Sequence, residues 1–248
     1  NGLKSAFGEN PKRVYGSQNK MPQTRMGVAA MMRKTFMDAK NYAAKKNHHE
    51  TTPIEKNKPK TPFETDYRKE IVLKVLNREK PLRSHAHRTD DIQTAIRIAE
   101  EFGVEICIEH CTEGWRIADF LADKNVGVIL GPLESTKTKS ELRYLTMEAA
   151  AIMEKAGVDF AMMTDAPVIP IASLWDVVRS AMRVGLGREM AMKCVTINPA
   201  KILHLDDKLG SIEHGKDADL VVWQGDPFEF NTPIKATFID GKLLEGQL

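Results

Sequence analysis

Between residues 66 and 185 the chain repeats one unit: a short apolar strand followed by an amphipathic helix. A helix over Asp66 to Arg78 leads into the strand "PLRSHAH", and Thr89 can cap the next helix, where Ile92, Ala95, Ile96, Ala99 and Phe102 form one apolar face before Gly103 ends it. The cycle continues as strand "VEICIEHC", helix "GWRIADFLADKN", strand "VGVILGPL", helix "SELRYLTMEAAAIMEKAG", strand "VDFAMMTD" and helix "IASLWDVVRSAMRVG". Strands that are apolar on both faces and separated by helices indicate a parallel sheet covered on both sides. Such a run is either a doubly wound sheet or part of a (β/α)8 barrel.

What closes the strands separates the two. His85 and His87, then His110, then Asp165 stand at the carboxyl ends of successive strands, and in a barrel those ends converge on one mouth where active sites are built. A nucleotide-binding sheet would need a glycine-rich phosphate loop, and neither G-x-G-x-x-G nor a Walker sequence occurs. The expected fold is therefore α/β, a partial TIM (β/α)8 barrel over residues 1–205. Over 206–248, "LGSIEHGKDADLVVWQGDP" and "PIKATFIDGKLL" alternate short β-type runs with Gly and Asp turns, which reads as strands of a small β-sandwich. Val221, Val222 and Trp223 are expected to pack there, with structural or surface roles for His214 and Asp219.

The first 65 residues are less regular. "GLKSAFGEN" reads as a buried strand running into a turn, and "ENPKRVYGSQNKMPQ" as a polar loop too long for a simple turn. From Thr24 to about Lys46, Met26, Ala29, Ala30, Met32, Phe36, Ala39 and Ala43 recur at roughly helical spacing. "NHHETTPIEKNKPKTPFETD", about 47–65, has three prolines and almost no apolar residues, which marks an exposed loop or insertion and the best candidate for disorder. His48 and His49 inside it are expected to be spectators. The chain opens on Asn1 without a methionine, which suggests a fragment.

Composition narrows the function classes. The 36 basic and 34 acidic residues are interspersed and leave a formal net charge of +2, so no field draws nucleic acid or an anionic membrane. No apolar run approaches the roughly 20 residues of a spanning helix, and no charged-then-apolar leader opens the chain. The expected compartment is cytoplasmic. Cys107, Cys111 and Cys194 are too few and irregular for a disulfide framework.

Alternate side chains of a strand share a face, so His85 and His87 point one way, His110 sides with Ile106 and Ile108, and Asp165 with Met163. If those faces meet, imidazoles and a carboxylate surround a small volume, a donor set that zinc and similar divalent ions accept. Such an ion lowers the pKa of bound water to about 7, and an aspartate can take up that proton and return it to a leaving nitrogen. The simpler account of each residue alone is structural: a hydrogen-bonded histidine at a strand end, or Asp165 capping a helix in "TDAP". On strand geometry Cys107 and Cys111 face away from His110.

The sequence resembles the amidohydrolase superfamily, in particular its imidazolonepropionase-like and prolidase-like branch. The motifs are "SHAHRTDDI", "IEHCTEG", "TDAPVIP", "TINPAKIL" followed by "LGSIEHGKDADLVVWQGDPF", and the closing "IDGKLL", with a more divergent match at "AFGENPKRVYG" and "TRMGVAAMMRKTF". The resemblance implies a metal-dependent hydrolase with His85, His110 and Asp165 as metal ligands, and Asp165 and His110 as catalytic residues. His87 shares the face of His85 and lines the same pocket. Lys4 and Glu9 lie near the strand from which some members add a carboxylated lysine or a glutamate and are pocket candidates, with a solvated role as the simpler account. Members usually carry a His-x-His pair on the first barrel strand, absent here, so the first third of the intact protein, with two ligands, is expected to be missing and this chain alone inactive. Ala166 stands where a histidine often follows the aspartate.

The resemblance implies hydrolysis of a C–N bond, in a cyclic amide or peptide-like small molecule, with zinc or another divalent ion (one or two) as cofactor. The alternatives are a deaminase on the same scaffold and a metal-free, non-catalytic barrel or oligomerisation protein. The expected partner is a small-molecule substrate, with no nucleic acid, no membrane, and homo-oligomerisation left open.

Overall fold

The computed structural model describes residues 2–53 and 61–246. Five strands, β1 (Leu3–Ala6), β2 (Leu82–Ala86), β3 (Ile106–His110), β4 (Gly127–Leu130) and β5 (Phe160–Met162), make a parallel sheet in the order β1-β2-β3-β4-β5. The tail forms a separate antiparallel sheet from β6 (Leu220–Trp223), β7 (Ile234–Ile239) and β8 (Lys242–Gly246). The expected α/β class with a parallel, barrel-type sheet and small C-terminal strands is what the chain adopts. By contacts it divides into two compact units, Asn1–Ala86 with Asp90–Cys107, and His87–Thr89 with Ile108–Leu248.

In the first unit, β1 and β2 pair in register from Leu3 opposite Leu82 to Ala6 opposite His85. Against them lie α1 (Glu9–Gly16), α2 (Arg25–Thr51), α3 (Tyr67–Leu76) and most of α4 (Thr89–Phe102). Ile92, Ala95, Ile96, Ala99 and Phe102 of α4 are all buried, as their spacing requires. Gly103 stops that helix at φ 68°, a left-handed position that glycine adopts without a Cβ penalty. Phe36 of α2 is fully buried with its ring 4.8 Å from that of Phe102. Thr24 caps α2 by accepting from the Gly27 N–H, and Asp66 caps α3 by accepting from Arg68 and Lys69.

In the first unit two elements differ from expectation. "ENPKRVYG" is the helix α1, not a loop; Pro11 falls in its first turn, where no N–H is needed for the helix ladder. Helix α2 runs to Thr51, through His48 and His49 and into the stretch expected as loop. Its stop is set by Pro53, which drives Thr52 to an extended ψ of 125°, and the hydroxyls of Thr51 and Thr52 donate to the carbonyls of Asn47 and His48. His49 bonds the Thr61 carbonyl at 2.6 Å. The centre of the stretch expected to be disordered, residues 54–60, lies outside the described residues.

In the second unit, Val128, Ile129 and Leu130 of β4 pair with Phe160, Ala161 and Met162 of β5. The core is completed by α5 (Ala118–Lys124), α6 (Ala149–Lys155), α7 (Leu174–Arg183), α8 (Arg188–Lys193) and α9 (Ile197–Ile202), which bury Leu121, Met153, Val177, Val178, Ala191 and Ala200. Asn198 ties α9 to β5 by donating to the Phe160 carbonyl at 2.9 Å. The helix expected over 140–157 is instead a 3-10 turn at Ser140–Leu142, an irregular link and α6. Leu142 and Leu145 turn into the core and carry Glu141 inward with them. In the tail, Asp240 (φ 50°) and Gly241 (φ 71°) make a hairpin turn with both central residues left-handed. Asp219 accepts from the Asp240 N–H, the structural role expected of it. The described tail is one sheet layer, and Val221, expected to pack inside a sandwich, is 47% exposed. Among the described residues no helix is long and apolar enough to cross a membrane.

Candidate metal centre

The second unit brings two imidazoles together. His110 is the last residue of β3, at φ 71°, and Cys111 follows at φ 48°. Two successive non-glycine residues in the left-handed region cost roughly 1–3 kcal/mol each and recur at functional sites; here they swing the chain sharply off the strand end. His110 Nδ1 lies 2.9 Å from the Gly131 carbonyl oxygen, so Nδ1 carries a proton, which in a neutral ring leaves the lone pair on Nε2. Gly131 has φ 128°, and a Cβ there would stand 2.5 Å from the Met163 carbonyl oxygen, so only glycine fits.

His87, just past β2, faces His110 with ring centroids 4.6 Å apart. Its Nδ1 lies 2.7 Å from Thr112 Oγ1, and its carbonyl accepts from the Glu113 N–H at 2.8 Å. Its Nε2 is 3.7 Å from Oε1 of Glu141, whose side chain has no exposure to solvent. Lys139 Nζ stands 3.8 Å from that same oxygen and offsets the buried carboxylate's charge. Glu113, also buried, accepts from the Thr89 N–H at 3.1 Å. The two rings are thus clamped at Nδ1 by oxygen atoms, an arrangement that presents Nε2 to a cation.

In the first unit, His85 is buried on β2, its carbonyl accepts from the Phe7 N–H, and Asn10 Nδ2 lies 3.2 Å from its Nε2. Lys4 is exposed on β1, and Glu9 is half-buried at the start of α1. Burial pushes the thiols of Cys107 and Cys194 up to about 12.

The sequence profile of the amidohydrolase family matches residues 16–244. The chain belongs to the amidohydrolase family. Among solved structures, an amidohydrolase from Thermotoga maritima MSB8 is 48% identical with a TM-score of 0.92, over 99% of this chain and 63% of that one. A Xaa-Pro dipeptidase with bound methionine is 27% identical with a TM-score of 0.54, over 71% of this chain and 47% of that one. An imidazolonepropionase of Maricaulis maris is 31% identical over 171 residues, 67% of this chain and 41% of that protein. The chain therefore spans less than two thirds of the length of each of these relatives.

In this amidohydrolase chain the expected sites are placed unequally. His87 and His110 are together. Asp165 is exposed, at φ 50° in the turn beyond β5, where its carbonyl accepts from the Val168 N–H. Because β5 ends at Met162, the strand alternation that would have grouped Asp165 with Met163 does not extend to it. Asn10, Thr112, Glu113, Lys139, Glu141 and Gly131 were not singled out from the sequence. Thr112 and Glu113 sit within the motif "IEHCTEG", which could have flagged them; Glu141 carries no such signal.

Proposed function

We propose that this amidohydrolase chain belongs to a metal-dependent hydrolase of C–N bonds, acting on a cyclic amide or peptide-like small molecule. The observation that carries this is the buried His87–His110 pair, each ring held at Nδ1 by an oxygen atom. We take His85, two residues before His87 in the chain, as the third imidazole. Three neutral imidazoles fit zinc or a similar divalent ion, with His85 yielding its Asn10 contact or ligating through Nδ1. Bound there, the ion would lower the pKa of a water to about 7 and polarise the amide carbonyl.

The remaining work falls to the chain's own groups. The Gly131 carbonyl fixes the His110 tautomer, and Thr112 holds the His87 ring in place. Asp165, on the turn beyond β5, would take the proton from water and deliver it to the leaving nitrogen. The imidazolonepropionase and Xaa-Pro dipeptidase relatives support a cyclic or peptide-like amide as the substrate. Activity is proposed for the whole protein; from the chain alone, which spans part of its relatives' length, we expect little turnover.

The test is incubation of the full-length protein, zinc-loaded, with a panel of N-acyl and cyclic amides, followed by product analysis. Cleaved or ring-opened amide that disappears in Asp165→Asn supports the proposal. Release of ammonia from an amidine-type substrate instead indicates the deaminase, and no turnover with no metal bound indicates the non-catalytic protein.

A further inference from the structure

On the two loops that hold His87, a cationic and aromatic cluster faces solvent. The loop after β3 supplies Thr112 and Glu113, which bond His87, and then Trp115 and Arg116. The link after β4 supplies Glu141 beside His87, then Arg143 and Tyr144. The Arg116 and Arg143 guanidinium carbons lie 4.4 Å and 4.3 Å from the centroid of the same Tyr144 ring. Arg143 also donates to the Tyr144 hydroxyl at 2.5 Å, Trp115 Nε1 donates to the Tyr144 carbonyl at 3.2 Å, and Lys137 Nζ donates to the Arg143 carbonyl at 3.1 Å.

The charges in this cluster do not balance. Two guanidiniums on one ring are less than about 9 Å apart, close to the screening length at physiological salt, and repel. Arg116 has Glu113 at 3.9 Å, but that carboxylate is buried and already accepts from Thr89. Among the described residues no carboxylate pairs with Arg143, which is exposed. Both guanidiniums lie against the ring, and beyond the Arg143 Nη2 that donates to the Tyr144 hydroxyl each keeps N–H groups that a two-oxygen anion can accept from. Arg143 is two residues from Glu141, so their Cα atoms are at most about 7.6 Å apart, which sets the cluster on the same link that brings Glu141 to His87.

We propose that Arg116 and Arg143, stacked on Tyr144, form a subsite for a carboxylate carried by the substrate, so that the amide hydrolysed is one with a free acid group. The proposal rests on the hydrolase assignment for the neighbouring imidazoles and names its substrate class. Lys137 adds attraction at longer range, and Trp115 reports occupancy through its fluorescence.

The probe pair is N-acetyl-L-proline and its carboxamide, titrated calorimetrically and by tryptophan fluorescence into the full-length protein, zinc-loaded and chelator-stripped. The expected result is acid binding at least tenfold tighter than amide binding, weakened by added salt. Arg143→Gln and Arg116→Gln should each erase most of that preference without changing amide affinity or the thermal midpoint, and Arg143→Lys should restore only part of it. Equal affinity for acid and amide, no binding of either probe, or an equal loss of both in the arginine variants overturns the proposal. Because the comparison includes stripped protein, an acid preference without metal binding keeps the subsite and defeats the hydrolase assignment. Metal binding without acid preference does the reverse.

Discussion

His110 and Gly131 hold each other across adjacent strand ends: the His110 ring donates to the Gly131 carbonyl at 2.9 Å, and the Gly131 N–H donates to the His110 carbonyl at 3.2 Å. The reciprocal pair fixes both the position of the imidazole and its tautomer. Gly131→Ala places a methyl 2.5 Å from the Met163 carbonyl at φ 128°, so the backbone must move. The left-handed region alone costs about 1–3 kcal/mol. Chemical denaturation should show at least that loss, and zinc affinity measured by competition with a chromophoric chelator should fall with it.

Thr112 holds the ring of His87 in position. Thr112→Val keeps the shape and removes the hydroxyl that meets Nδ1 at 2.7 Å. Loss of an outer hydrogen bond to a ligating histidine typically lowers metal affinity about 10–100-fold. We expect that range in zinc competition, with the far-ultraviolet circular dichroism unchanged.

Phe36 anchors the first unit. It is fully buried against Phe102, and Phe36→Ala should cost about 3–5 kcal/mol through lost transfer energy and the cavity left behind. Urea unfolding monitored by circular dichroism measures it, and a loss below about 1 kcal/mol would contradict the packing described.

The buried thiols should be inert. With Cys107 and Cys194 pushed up to about 12, the reactive thiolate is roughly one part in ten thousand at pH 8. Iodoacetamide at that pH should label neither in the native protein within the time that labels both in urea. Fast native labelling, followed by peptide mass mapping, would contradict their burial.

Much of the fold was legible because helices and strands here obey one-sided burial. The stripe from Ile92 to Phe102 and the apolar runs of β3 and β4 reported their own periods. Polar composition misled where a helix needs no core of its own: α2 continues over Asn47 to Thr51 because nothing stops it before Pro53. The histidines were readable as strand-end residues. What orients them was not, because it depends on the left-handed φ of His110 and Gly131 and on Glu141 being drawn inward with Leu142. Asp165 was grouped by an alternation that ends three residues too early, at Met162.

The account turns on imidazoles holding a divalent ion, and metal content tests that most directly. Full-length protein purified without chelator should contain stoichiometric zinc or another divalent metal by mass spectrometry. His214→Ala, an exposed histidine of the tail, should retain it, and His110→Ala should lose it. A metal-free wild-type protein that takes up no zinc on dialysis, or full occupancy in His110→Ala, would contradict the account.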